Sequence, residues 1–179
     1  MAILIPKPVM KSYKKNRLMS IDPSINNLGV AIWDMDSKTL LMSKLIHPKS
    51  GYKSNEYTKS LSMSDQLREW AKVYMVNHMI LEVPEHWSVG GFEARETGSI
   101  AKLCFVCGLI YGMQYDMKEF QLVAPRGWKF QLPKEVVANR LHKEYLEKYN
   151  IDLVEWVSTT MNNVGDAIGI GHFKLFGSV

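Results

Sequence analysis

The chain has 179 residues, 46% of them apolar and 22% charged, enough for one domain that buries roughly 70% of its unfolded surface. No apolar run approaches the roughly 20 residues of a membrane span, and the two cysteines, Cys104 and Cys107, are too few for a disulfide scaffold or a four-cysteine zinc site. The formal net charge of +4 suits a polyanionic partner without naming one.

The apolar stretch Ala2 to Ile5 is stopped by Pro6, Lys7 and Pro8, too short for a signal peptide, and the chain is expected to work in a reducing cytoplasm with no membrane partner. Lys7 to Arg17 then holds five cations and no acid. Residues 1–16 are therefore read as a basic N-terminal arm in front of a single domain over 17–179, with Lys14 and Lys15 as candidate phosphate contacts.

Arg17 to Asp22 and Leu28 to Asp34 are β-prone runs around the turn-rich Pro23 to Asn27, and Met35 to Lys38 turns the chain into Thr39 to Ile46. A three-strand antiparallel meander results. After the polar loop His47 to Glu56, the spacing of Leu67, Trp70, Ala71 and Tyr74 predicts a helix with one buried face, leading to a strand over Met79 to Val83. Beyond the loop at Val89-Gly90-Gly91, Ile100, Leu103, Cys104, Cys107 and Tyr111 mark an amphipathic helix over Gly98 to Met113. Its Gly108 and Gly112 permit close packing, and its two cysteines are expected to be buried thiols. Phe120 to Ala124 reads as a strand, and Pro133 opens a helix carried by Val137, Leu141 and Tyr145. Val154 to Val157 is ambiguous. A last helix runs from about Asn162 to Phe173, with Val164, Ala167, Ile168 and Gly171 as its packing face. Single strands alternating with helices after a meander indicate an α/β sheet.

Three acids stand where such a sheet can gather them: Asp22 at the end of the first strand, Glu82 in the strand after the first helix, and Asp166 on the last helix. Taken singly, each is an ordinary solvated acid. Their settings differ from that: Glu82 is flanked by Ile80, Leu81 and Val83, Asp22 follows Leu18 to Ile21, and an unpaired carboxylate inside a sheet is costly. Three carboxylates crowded together repel one another, and hard divalent cations with oxygen ligands, Mg²⁺ or Mn²⁺, meet that need.

Ile21-Asp22-Pro23 with Gly29 seven positions after the aspartate, Ile80-Leu81-Glu82, Ala124-Pro125-Arg126 with Lys129, and Gly165-Asp166-Ala167-Ile168 together resemble the RuvC family of Holliday-junction resolvases, most closely its bacteriophage-type members. The resemblance spans roughly residues 17–176 and implies a ribonuclease H-like fold, a mixed five-stranded sheet in the order βββαβαβα flanked by helices. It implies two metal ions about 4 Å apart on the scissile phosphate, Mg²⁺ with Mn²⁺ as a substitute, and nicks with 5′-phosphate and 3′-hydroxyl ends. By the same likeness Asp22 bridges both ions, Glu82 holds one, and Asp166 with Asn163 holds the other. The family places an acid, in some relatives a histidine, where this chain has Asn163, which brings an oxygen but no charge. Lys129 and Lys134 are the candidates to neutralise the transition state, and Arg126 belongs to the same basic stretch.

The resemblance further implies a homodimer facing a two-fold symmetric four-way junction, joined through the helix Gly98 to Met113. It implies an aromatic wedge in the loop Pro84 to Gly91, here Trp87 with His86 beside it, to stack on a base exposed at the branch point. The remaining tryptophans, at 33, 70, 128 and 156, read as packing residues. No small-molecule cofactor is expected, and a phage-encoded member would act in the host cytoplasm. Three rivals remain: another ribonuclease H-like nuclease acting on RNA or flaps, a catalytically silent junction binder, and an actin-like ATP-binding fold. The last needs a duplicated domain and a second phosphate loop that 179 residues do not hold.

Overall fold

The computed structural model describes residues 15–52, 55–84, 98–112, 117–130, 132–149 and 163–177. Strands β1 (Arg17–Asp22), β2 (Leu28–Asp34) and β3 (Thr39–Ile46) form the expected meander, and β4 (His78–Glu82) and β5 (Glu119–Val123) complete a five-stranded sheet in the order β3-β2-β1-β4-β5. β1 pairs antiparallel with β2 and parallel with β4, and β4 pairs parallel with β5, so the sheet is mixed. Both strands of the second half, β4 and β5, start and end one residue earlier than their apolar runs suggest, which makes Glu82 the last residue of its strand.

The helices are α1 (Glu56–Val73), α2 (Ser99–Gly112), α3 (Pro125–Lys129), α4 (Lys134–Tyr149) and α5 (Asn163–Phe176). α1 starts earlier than its periodicity indicates because Asn55 accepts from the Thr58 amide while the Thr58 side chain answers the Asn55 backbone, a capping box worth about 1 kcal/mol. α3 is absent from the sequence reading. Five residues cannot display a helical period, and its only local signal is Pro125 at the first turn.

Side-chain alternation divides the sheet into two faces. Leu18, Ala31, Trp33, Ile80 and Val123 pack beneath Trp128 of α3, Val137, Leu141 and Tyr145 of α4, and Ala167, Ile168 and Ile170 of α5. Met19, Ile21, Val30, Ile32, Met79 and Leu81 pack on the other side against Met63, Leu67 and Ala71 of α1 and Val106, Cys107 and Ile110 of α2. Each of the Leu, Ile, Val and Met side chains here contributes about 1.5–3 kcal/mol on burial, so a one-residue slip of β1, which would exchange the two sets, is strongly disfavoured.

Two expectations are corrected. α5 has no single packing face: Gly165 to His172 are all buried, because the helix lies between the sheet and the α3 and α4 layer. On α2, Cys107 is buried but Cys104 is exposed; a Cβ at Gly108 or Gly112 would meet nothing within 4 Å among the described residues, which leaves the close-packing expectation for these glycines untouched. The ambiguous segment Val154 to Val157 lies outside the described residues. No helix among the described residues is long and apolar enough to cross a membrane.

Candidate functional site at the carboxyl ends of the central strands

Asp22 and Glu82 close the two parallel central strands. Ile21 and Leu81 are register partners, so the acids follow side by side at the carboxyl end of the sheet, where crevices of α/β folds open. Period-two alternation sets their face: Ser20, two residues before Asp22, donates its hydroxyl to the Ala167 carbonyl at 2.7 Å, and Ile80, two before Glu82, lies in the cluster under α5. Both acids therefore belong to the face that α5 covers, and α5 carries Asp166.

The start of α5 is held against this edge by a missing side chain. Gly29 is the register partner of Asp22, and a Cβ built on it would fall 1.8 Å from the Asn163 carbonyl oxygen and 2.8 Å from the Val164 nitrogen. Only glycine admits the helix here, and one turn further on stands Asp166. Asp22 and Asp166 are each 7% exposed. Asn163 is the first residue of α5, and its side-chain amide donates to the Asn27 side-chain oxygen of the β1–β2 turn.

The carboxylates have defined partners. Lys129, the last residue of α3, brings its ammonium to 3.9 Å from Asp166 Oδ2. The fully buried Trp128 donates its indole N–H to Glu82 Oε2 at 2.5 Å. Beneath Glu82, the Cys107 thiol lies 3.7 Å from the Glu82 carbonyl oxygen and is pushed up to about 12, by burial first and then by the negative charge of Cys104, Asp22 and Glu82. Among the described residues no three His, Cys, Asp or Glu side chains stand together as a formed metal cluster. The candidate donors Asp22, Glu82, Asp166 and Asn163 are nevertheless all oxygen ligands, the kind a hard divalent ion takes.

The remaining predicted residues divide. Arg126 is exposed on α3, one turn before Lys129. Lys134 opens α4. Lys15 is exposed but precedes β1 at its amino end, so it stands roughly 17 Å or more along the strand from Asp22 and is not brought to the site. Lys14, His86 and Trp87 lie outside the described residues. A cavity of about 400 Å³ opens beside Glu82, walled by Pro23, Ile25, Pro84, Ile100, Leu103 and Pro125. Sequence reasoning missed Trp128 as a member of the site; its one local signal is its place beside Lys129, just after the strand whose Val123 pairs with Glu82.

On the opposite face, α2 exposes Phe105 (40%) and Tyr111 (59%), and Phe105 meets Tyr57 of α1 edge to face at 4.9 Å. With the open space at Gly108 and Gly112, this is an apolar surface without cover from the described residues.

No protein-family model and no curated protein sequence matches the chain. Solved structures do. RuvC of Thermus thermophilus in complex with a Holliday junction substrate is 16% identical with a TM-score of 0.63, covering 87% of this chain and 90% of that one. The fowlpox virus Holliday junction resolvase is 15% identical with a TM-score of 0.56, over 90% and 99%. The yeast mitochondrial Holliday junction resolvase is 12% identical with a TM-score of 0.56, over 90% and 80%. At such identities the likeness establishes the fold: this chain has the ribonuclease H-like α/β architecture of the RuvC-type resolvases, as its motifs led us to expect.

Proposed function

We propose that this chain is a structure-selective endonuclease that resolves four-way DNA junctions by metal-dependent phosphodiester hydrolysis, leaving 5′-phosphate and 3′-hydroxyl nicks. The observation that supports the reading is that Asp22 and Glu82 end adjacent parallel strands on the face covered by the helix that carries Asp166, on a fold shared with resolvases solved on Holliday junction DNA.

Asp22 and Glu82, side by side on adjacent strands, and Asp166, on the helix laid over them, would hold Mg²⁺ or Mn²⁺, with Asn163 adding a neutral oxygen. Bound divalent ions supply an activated water and neutralise charge on the phosphate and the leaving oxygen. The chain's own residues do the rest. Lys129, already beside Asp166, offers an ammonium to the charge that builds on the transferring phosphoryl group. Arg126, exposed one turn earlier, extends the positive surface for the flanking phosphates, and Lys134, the first residue of α4, is the further candidate for that role. The uncovered α2 surface with Phe105 and Tyr111 supports pairing with a second copy, which would set two such sites on the opposing strands of a symmetric junction.

The test compares cleavage in Mg²⁺ with binding in Ca²⁺ on one four-way junction. Asp22→Asn and Glu82→Gln are expected to abolish cleavage and leave binding largely intact, since each removes metal-binding charge without touching the basic surface. Cleavage at the wild-type rate in either variant refutes the site. Binding without cleavage by the wild type at any Mg²⁺ or Mn²⁺ concentration would assign a silent binder, and preference for RNA or flaps over the junction would assign another nuclease of the same fold.

A further inference from the structure

Trp128 joins three parts of the site at once. Its indole N–H is bonded to Glu82 Oε2 on β4. Its ring lies on α5 at Gly169, three residues after Asp166: a Cβ there would come within 2.4 Å of the ring atom Cζ3. The Lys129 ammonium sits 4.9 Å from the ring centroid on its way to Asp166. A buried indole needs an acceptor, but a strand or helix carbonyl would serve. This one uses a carboxylate at a strand end, a charge-assisted bond stronger than a neutral one. The bond holds the Glu82 carboxylate by its Oε2.

We infer that Trp128 is a positioning residue, whose indole N–H fixes the orientation of the Glu82 carboxylate and whose ring fixes the distance of the Asp166 helix from it. The inference rests on the metal-site reading above and adds to it a residue that touches neither metal nor DNA. Partners of this kind, one bond removed from a metal, typically change affinity 10–100-fold when lost.

The experiment titrates Mn²⁺ calorimetrically into the DNA-free protein for wild type, Trp128→Phe, Glu82→Gln and the double variant. Trp128→Phe keeps most of the ring and loses the N–H, and is expected to weaken Mn²⁺ binding about 10-fold or more. Glu82→Gln is expected to weaken it further, and Trp128→Phe in the Glu82→Gln background to add nothing, because Trp128 acts through Glu82. Wild-type affinity in Trp128→Phe, or losses that add in the double variant, overturns the inference and leaves the metal site standing. Wild-type affinity in Glu82→Gln removes the metal reading and this inference with it. If Trp128→Phe does not fold, the wild type with ¹⁵N-labelled indoles carries the test. One indole signal must shift both on adding Mg²⁺ and on Glu82→Gln, and the absence of such a signal overturns the proposal.

Discussion

Gly29→Ala probes the contact that delivers Asp166. The added methyl would stand 1.8 Å from the Asn163 carbonyl oxygen and 2.1 Å from its carbon, whereas ordinary contact begins at 3.4 Å. Both neighbours are backbone atoms and cannot rotate away, so the start of α5 or the edge of β2 must move by about 1.6 Å. Overpacking of this kind costs about 1–3 kcal/mol. At about 2–4 °C per kcal/mol for a chain of this size, the melting temperature should fall by roughly 2–12 °C. A displacement of about 1 Å at a reacting centre costs on the order of 100-fold, so junction cleavage should fall by at least that factor while binding in Ca²⁺ is retained. Gly108→Ala is the control: mid-helix with open space around it, alanine should raise stability by about 1 kcal/mol in the monomer. A second copy packed on α2 reverses that sign. Melting and cleavage measured on both variants decide the matter, and a Gly29→Ala protein with wild-type melting and wild-type cleavage refutes the reasoning.

Asn163→Asp should lower the Mg²⁺ concentration for half-maximal cleavage by adding a charge, and lower stability by about 1 kcal/mol through loss of the bond to Asn27; an unchanged metal titration removes Asn163 from the ligand set. The Lys174 ammonium, with His78 second, holds the Glu119 carboxyl below the usual glutamate value, so its contribution is present at neutral pH and is lost as pH falls through the depressed value. Wild type should therefore exceed Lys174→Met in stability by about 0.2–1 kcal/mol at pH 7, the two converging as pH falls through the depressed Glu119 value; a difference that grows on acidification contradicts the pair. Trp87→Ala should cut junction cleavage about 10-fold or more with little change in duplex binding or melting, and equal losses on both DNAs with lowered melting would make Trp87 a core residue.

The β-prone apolar runs Arg17–Asp22 and Leu28–Asp34 mark strands locally, and a period of two then puts Asp22 on the same face as Ser20, but both faces of these strands are buried, so which layer covers Asp22 is set by the fold. The same holds for β4 and Glu82, so two of the three acids and the sheet that aligns them are legible without coordinates. Asp166 is legible by resemblance, but its delivery is not. That depends on Gly29 meeting Asn163, on Ser20 bonded to Ala167 across 147 positions, and on a helix buried on all sides whose small residues mimic a one-faced pattern. α3 shows the limit most clearly. Five residues carry no period, and its Trp128 looks like any packing tryptophan until the fold sets Glu82, 46 positions earlier, in front of its N–H. Periodicity records which side of an element faces inward. Which polar atoms then meet is decided by how separate elements pack, since the free energy of those contacts depends on distances that no local pattern encodes.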